Sequence, residues 1–169
     1  PNLFEVELAF PSAVAIDNDV LQKSRFLVKA AALPASTVAP IEVPFRGRIL
    51  KIAGDRTFET WTITVINDTD FAVRSSFEKW MNVINKMEDA SGLQAPDTYQ
   101  KDAVVHQLDR DGSILRSYKM WDIWPTNIST IDLNYETVDT VEDFTVEMQV
   151  HWWEAYKGTS AAAGGEDIK

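Results

Sequence analysis

From Thr60 to Val65 the chain reads TWTITV, and every second residue is apolar. Trp61, Ile63 and Val65 fall on one parity, while Thr60, Thr62 and Thr64 fall on the other. Side chains alternate across a β-strand with a period of two, so this run specifies a half-buried strand and argues against a helix. Its polar face is unusual. Charge would serve solubility there, yet the face is a row of uncharged hydroxyls.

The same period recurs along most of the sequence. Phe4, Val6, Leu8 and Phe10 share a face opposite Glu5 and Glu7. Arg25–Pro34 reads as a second strand, and the intervening Pro11–Ser24, with turn chemistry at Asp17-Asn18-Asp19, as a long hairpin tip. Pro34, Pro40 and Pro44 punctuate an extended loop expected to lie outside any sheet. Phe45–Gly54 resumes as strand. Lys101–Pro125 folds back on itself at Arg110-Asp111-Gly112, and Thr130–Thr137 and Asp143–Trp153 alternate again.

One segment follows a different period. Phe71, Phe77, Trp80, Met81, Ile84 and Met87 recur at three- and four-residue spacing, which predicts an amphipathic helix. Asp68, Thr69 or Asp70 would cap its start, and Gly92 follows its end. Glu88–Gln100 reads as a polar loop. The expected fold is mainly β, a β-sandwich or barrel with one flanking α-helix. Its 169 residues suit one domain over 1–157, followed by a flexible tail over 158–169. The chain begins at Pro1 rather than Met, so a further N-terminal segment is expected to precede it.

Composition removes several function classes. Sixteen basic against 26 acidic residues give a formal net charge of −10, which is a poor basis for gripping phosphate. The absence of cysteine excludes disulfides and thiolate metal sites and fits a reducing compartment. No apolar run approaches the roughly 20 residues that span a bilayer, so no membrane anchor is expected.

Catalytic signals are thin. His106 and His151 are the only histidines, and no nucleophile elbow, phosphate loop or dinucleotide fingerprint is present. Asp17–Gln22 and Asp109–Ser113 imitate calcium loops, but their glycines are missing or misplaced, so both read as plain turns. We expect no catalytic residue, metal or cofactor. Trp121, Trp124, Trp152 and Trp153 permit an alternative, a carbohydrate- or receptor-binding β-module, and a small β-sandwich hydrolase is a weaker third. Trp152 and Trp153 are consecutive, so at least one leaves the core and is available for a protein contact.

Five stretches carry a resemblance: Pro1-Asn2-Leu3-Phe4-Glu5-Val6, Lys29–Pro34 (KAAALP), Ile52–Phe71 (IAGDRTFETWTITVINDTDF), Trp124–Ser129 (WPTNIS) and Phe144–Glu154 (FTVEMQVHWWE). In that order they resemble the tail tube protein of T4-like contractile-tailed bacteriophages, and AGDRTFETWTITV is the most specific. The resemblance covers Pro1 to about Tyr156.

It implies a tail-tube β-sandwich whose inner strands join a β-barrel across a hexameric ring. It implies stacked rings forming a conduit for DNA ejection, a fold shared with the inner tube of type VI secretion, and residence in the virion after assembly in the host bacterial cytoplasm. The implied partners are further copies of the chain, the tail sheath, the tape-measure protein, and the baseplate and tail-terminator proteins. DNA would pass through the lumen without specific binding. Thr60, Thr62 and Thr64 are the candidate lumen-facing residues, and Arg46, Arg48, Asp55, Arg56 and Trp153 the candidate subunit or ring contacts. Two segments do not match the family pattern: Phe10–Phe26, which is longer than is common, and Gly158–Lys169.

Overall fold

The alternating segments assemble into one antiparallel sheet folded across itself, and a separate ribbon stands apart from it. The computed structural model describes residues 3–14, 17–157 and 166–167. In chain order the elements are β1 (Phe4–Leu8), α1 (Asn18–Leu27), β2 (Val28–Ala31), β3 (Ser36–Phe45), β4 (Arg48–Phe58) and β5 (Trp61–Ile66). They continue with α2 (Ala72–Ile84), a short α3 (Pro96–Tyr99), β6 (Lys101–Leu108), β7 (Ile114–Ile128), β8 (Asp143–Gln149), β9 (Trp152–Lys157) and β10 (Glu166–Asp167).

The main sheet has the order β1-β6-β7-β8-β5-β2, and β9 also pairs with β7. Strand β7 makes this possible. Its first half lies between β6 and β9, whereas its last residues, Trp124 to Ile128, pair with β8. Asp122, with φ 54°, marks the bend between the two halves. The two half-sheets enclose Val6, Trp61, Ile63, Val65, Val105, Met120, Ile123, Phe144, Val146 and Met148, all essentially inaccessible. This is the mainly β sandwich expected from the sequence. Within one chain the sheet ends at β1 and β2 and does not close into a barrel.

Helix α2 lies over the core on the face that carries Val73, Ser76, Phe77 and Trp80. Phe10 completes an aromatic cluster there, with ring centroids 5.2 Å from Phe77 and 5.5 Å from Trp80. Burying each such ring stabilises by about 1.5–3 kcal/mol. The Trp80 indole N–H donates to the Tyr99 carbonyl at 2.7 Å, so the polar edge of the ring is satisfied. The two ends of the predicted stripe behave differently: Phe71 and Met87 are exposed.

The start of α2 corrects the expected cap. Phe71 occupies the capping position with a left-handed backbone (φ 53°), and no side chain caps the helix. Asp68 instead accepts from the Thr69 backbone N–H at 2.8 Å and pairs with Lys23 at 3.4 Å. Lys23 also meets Asp70 and Asp19, and the Asp70 and Asp68 carboxylates raise the pKa of its ammonium.

Four further expectations are overturned. The stretch read as a hairpin tip, Pro11–Ser24, forms a 3-10 turn at Ser12–Val14, and α1 begins at Asn18. Asp and Asn initiate turns and helices alike, and α1 buries only Ser24, so no apolar stripe announces it. The second strand therefore starts at Val28, not Arg25. The proline-punctuated loop is strand β3, paired along its length with β4. Thr130–Thr137 is an exposed loop despite its alternation.

The expected tail, 158–169, lies outside the described residues except for Glu166 and Asp167, which pair with Lys157 and Tyr156.

Candidate functional site

The threonine row lies on the outer face of the β7-β8-β5-β2 half-sheet. Residues directly opposed in an antiparallel pair share a face. Thr64 stands opposite Thr145, and Thr62 opposite Glu147. Thr60 is exposed and sits just before β5, where its hydroxyl oxygen accepts from the Gln149 amide at 3.3 Å. The Thr126 hydroxyl on β7 donates to the Glu147 carbonyl at 3.1 Å. The face is thus a patch of hydroxyls and amides around Glu147, with a Lys29–Asp143 ion pair (2.8 Å) at its Ile66 end. Its hydroxyls and amides come from three strands and are not peculiar to the opening hexapeptide.

Arg46, Arg48, Asp55 and Arg56 all fall on the β3–β4 ribbon or its turn. Among the described residues the two strands pair with each other and with no other strand. Arg46 (φ 47°) and Gly47 (φ 77°) form the two-residue turn between Phe45 and Arg48, and its paired positive φ values match the twist of a tight hairpin. In such a hairpin the closing pair exchanges both backbone hydrogen bonds, and bonded and non-bonded pairs then alternate. Counting back from Phe45, Pro40 and Pro44 fall at non-bonded positions, where the missing N–H costs no ladder bond. That is how a proline-rich segment forms a strand here.

The register gives the ribbon two unlike faces. Ile41 opposes Ile52, Val43 opposes Leu50 and Phe45 opposes Arg48, so five apolar side chains share one face. All five are exposed, Phe45 the most at 62%. The other face carries Glu42 opposite Lys51 and Pro44 opposite Ile49. Among the described residues, no ion pair involves Arg46, Arg48, Lys51 or Arg56, although Arg46 lies 5.3 Å over the Phe45 ring. Sequence reasoning picked out the basic residues but missed the apolar face. The alternation of Ile41, Val43 and Phe45 was present but was masked by the prolines.

Trp153 sits at the base of the ribbon. Its indole N–H donates to the Ala35 carbonyl at 3.2 Å, and its ring meets Phe58 and Tyr118 edge-on. Its neighbour Trp152, 37% exposed, stacks on Trp121 with centroids 5.2 Å apart. Lys119 Nζ covers the Trp121 ring at 3.6 Å. Trp121 and Trp152 thus form a stacked pair, while Trp124 meets Tyr99 and Trp153 meets Tyr118, so the four candidates do not form one stacking row.

His106 has the look of a catalytic group without the access. Its Nδ1 lies 2.7 Å from Ser117 Oγ, and its Nε2 lies 3.6 Å from a Glu7 carboxylate oxygen. Both His106 and Ser117 are buried between β1, β6 and β7, which leaves no space beside the hydroxyl for a substrate. Among the described residues no cluster of His, Asp and Glu is arranged to hold a metal, and no helix is long and apolar enough to cross a membrane.

A family model described as phage tail tube protein matches residues 1–156. The chain belongs to the phage tail tube family. It is 33% identical over 155 residues to the tail tube protein gp19 of Enterobacteria phage T4, covering 91% of this chain and 90% of that protein.

Solved structures share the tail tube fold at much lower identity. A chain in the cryo-EM structure of the anti-feeding prophage baseplate superposes with a TM-score of 0.68 at 11% identity, covering 93% of this chain and 94% of its own. A chain in the sheath-tube complex of an extracellular contractile injection system (PVC) gives 0.57 at 12% identity, covering 92% and 89%. A tail tube protein is a structural component of the virion and not an enzyme. The buried His106–Ser117 contact joins the paired strands β6 and β7.

Proposed function

We propose that copies of this tail tube chain close into hexameric rings and stack into the inner tube of a contractile tail, through which DNA is ejected. The carrying observation is the β3–β4 ribbon. An isolated two-stranded hairpin is at best marginally stable in water, and this one leaves a whole apolar face uncovered. A second copy of the chain supplies the missing cover. Arg46, Arg48, Asp55 and Arg56 then become contact residues, with Trp153 holding the ribbon's base. The open edge of β2 is the natural point at which a neighbour's strand continues the half-sheet into a shared barrel.

In this arrangement Thr60, Thr62 and Thr64 face the lumen. Hydroxyls beside Glu147 offer phosphate no unpaired cation, since Lys29 at the end of the face is held by Asp143, so DNA slides without counterion release. The sheath, tape-measure, baseplate and terminator proteins complete the assembly. Negative-stain microscopy of the purified chain should show rings or tubes, and a monodisperse monomer at high concentration would refute the proposal.

The lumen assignment has its own test. Thr64→Lys, opposite the neutral Thr145, should slow ejection from assembled particles more than Thr62→Lys, whose lysine meets Glu147. Equal, unchanged ejection kinetics in both would remove the threonine face from the lumen.

A further inference from the structure

Two apolar surfaces of the body stand exposed on opposite edges of the β7-β8-β5-β2 half-sheet. The first is Phe26 of α1, 84% exposed. Helix α1 leads directly into the edge strand β2, and Arg25 ties it to Glu7 at 3.0 Å and to Glu5 at 3.5 Å on β1. Its Val20 and Leu27 pack inward against the core, which leaves Phe26 turned away from its own chain. The second surface is the loop between β7 and β8, residues 129–142. Leu133 is 87% exposed and Val138 75%, and Tyr135 and Val141 are exposed beside them. The loop arches over an open cleft of about 780 Å³ lined by Ile131, Leu133, Val141 and Phe144, with room for a phenyl group.

Both surfaces lie at the Ile66 end of the half-sheet. Val28 stands opposite Val65, one residue short of the end of β5, so α1 joins the sheet there. The loop returns at Asp143, opposite Ile66. The next residue, Asn67, donates to Glu142 from its backbone at 2.8 Å and from its side-chain amide at 2.7 Å. Within one chain, however, the edge strands β2 and β7 are three strand spacings apart, roughly 14 Å. Phe26 is left without a cleft, and the cleft without an occupant.

A neighbouring copy removes that gap. Past Ile123, where pairing with β6 stops, the last residues of β7 pair with β8 alone among the described residues, so this edge is open like that of β2. Every adjacent pair in the half-sheet is antiparallel, and β2 and β7 lie at its two edges. With four strands per copy, a neighbour's β7 beside β2 continues the alternation while all copies point the same way. That join sets the α1–β2 junction of one copy against the 129–142 loop of the next, at the same end.

We infer that Phe26 of one copy seats in the cleft under the 129–142 loop of the next copy within the same ring. This rests on the proposed ring and names the side chain and the recess that meet beside its strand pairing. Each copy gives one Phe26 and one cleft, so the contact is head-to-tail and closes with the ring's rotation. It also gives a role to Phe10–Phe26, a segment that does not match the family pattern.

The chain has no cysteine, so introduced thiols react without background. Phe26→Cys with Leu133→Cys, oxidised after assembly, should give a non-reducing ladder that ends at six subunits. Products past six would place the contact between rings, and products ending at two would mean a reciprocal dimer. Either result, or uncrosslinked monomer from preparations that contain rings, overturns the inference. Each single-cysteine chain should run as monomer on the same gel; a dimer from either would mean that like meets like and overturns it as well.

The second arm leaves the cleft intact. Phe26→Ser should keep the monomer's unfolding midpoint unchanged, because the side chain is already exposed. It should raise the concentration needed for ring formation about tenfold or more, as loss of a buried aromatic anchor does. Phe26→Leu, which keeps an apolar side chain, should recover most of that loss. Rings that form from Phe26→Ser as readily as from the wild type, a lowered midpoint, or a Phe26→Leu variant as impaired as Phe26→Ser each overturn the inference. If the wild-type chain forms no rings at all, the proposed function fails first, so the two failures are distinguishable.

Discussion

The molecule contains two long hairpins, β6–β7 and β3–β4, that differ in what surrounds them. Both turn through glycines of positive φ, Gly112 at 85° and Gly47 at 77°. The β6–β7 hairpin has β1 on one side and β8 and β9 on the other, so Ala103, Val105, Met120 and Ile123 are buried. Among the described residues the β3–β4 ribbon has no neighbouring strand, and its Ile41, Val43, Leu50 and Ile52 stay exposed. Local sequence sets register and turn in both. Neighbours decide whether the apolar residues stabilise the chain or the assembly.

The largest expected effect separates the two hairpins directly. Met120→Ala or Ile123→Ala in β7 should destabilise the monomer by about 2–5 kcal/mol, because each removes a fully buried side chain. Leu50→Ser with Ile52→Ser in the ribbon should change monomer stability by no more than about 0.5 kcal/mol per site. The same ribbon pair should raise the concentration needed for tube formation at least about tenfold, the equivalent of about 1.4 kcal/mol per added subunit. Chemical denaturation and sedimentation read the two quantities separately. Comparable losses of monomer stability in both hairpins would end the distinction.

The same contrast explains how much was legible in the sequence. Trp61, Ile63 and Val65 announced β5, and Phe144, Val146 and Met148 announced β8, because those strands bury one face within the chain. Phe77 and Trp80 announced α2 for the same reason. Alternation at Ile131, Leu133 and Tyr135 looked equally good, yet that segment has no strand partner and remains a loop. Periodicity records which side chains could share a face; it does not record what covers them. In β3 the error ran the other way. Prolines argue against a central strand, but Pro40 and Pro44 occupy non-bonded positions of a free ribbon, where that argument loses its force. Of the candidate site, the threonine row was readable, whereas the apolar face of the ribbon was not, since prolines interrupt the alternation of Ile41, Val43 and Phe45.

A smaller effect would sharpen the comparison inside the ribbon. Gly54 lies on β4 opposite the register shift between Val38 and Pro40. A Cβ there would meet the Ala39 carbonyl oxygen at 2.6 Å and Ile41 Cγ1 at 3.0 Å, so Gly54→Ala must displace the β3 backbone. Overpacking of this kind costs about 1–3 kcal/mol locally. Because the ribbon contributes little to the body, the unfolding midpoint should stay put while tube formation weakens by several fold. A lowered midpoint would show that the ribbon and body unfold as one unit.

The smallest effect contrasts the two turns. At the β6–β7 tip the Asp111 carboxylate accepts from the Ser113 hydroxyl at 2.6 Å and from the Ser113 backbone N–H at 2.9 Å. The hydroxyl bond first, and the backbone bond second, hold the Asp111 pKa below its ordinary value. A carboxyl lowered in the folded state stabilises above its unfolded pKa, near 3.9, and that contribution is lost as pH falls through the folded value. Carbon-13 titration of the Asp111 carboxyl should therefore show protonation below the usual aspartate range. Ser113→Ala should move it only part-way back, because the backbone donor remains. The Arg46-Gly47 turn of the ribbon has no carboxylate to protonate, so its amide shifts should stay flat over the same acid window. Movement at both turns would mean that acid loosens the hairpins through a common path, and the independence of ribbon and body would then fail at its most local point.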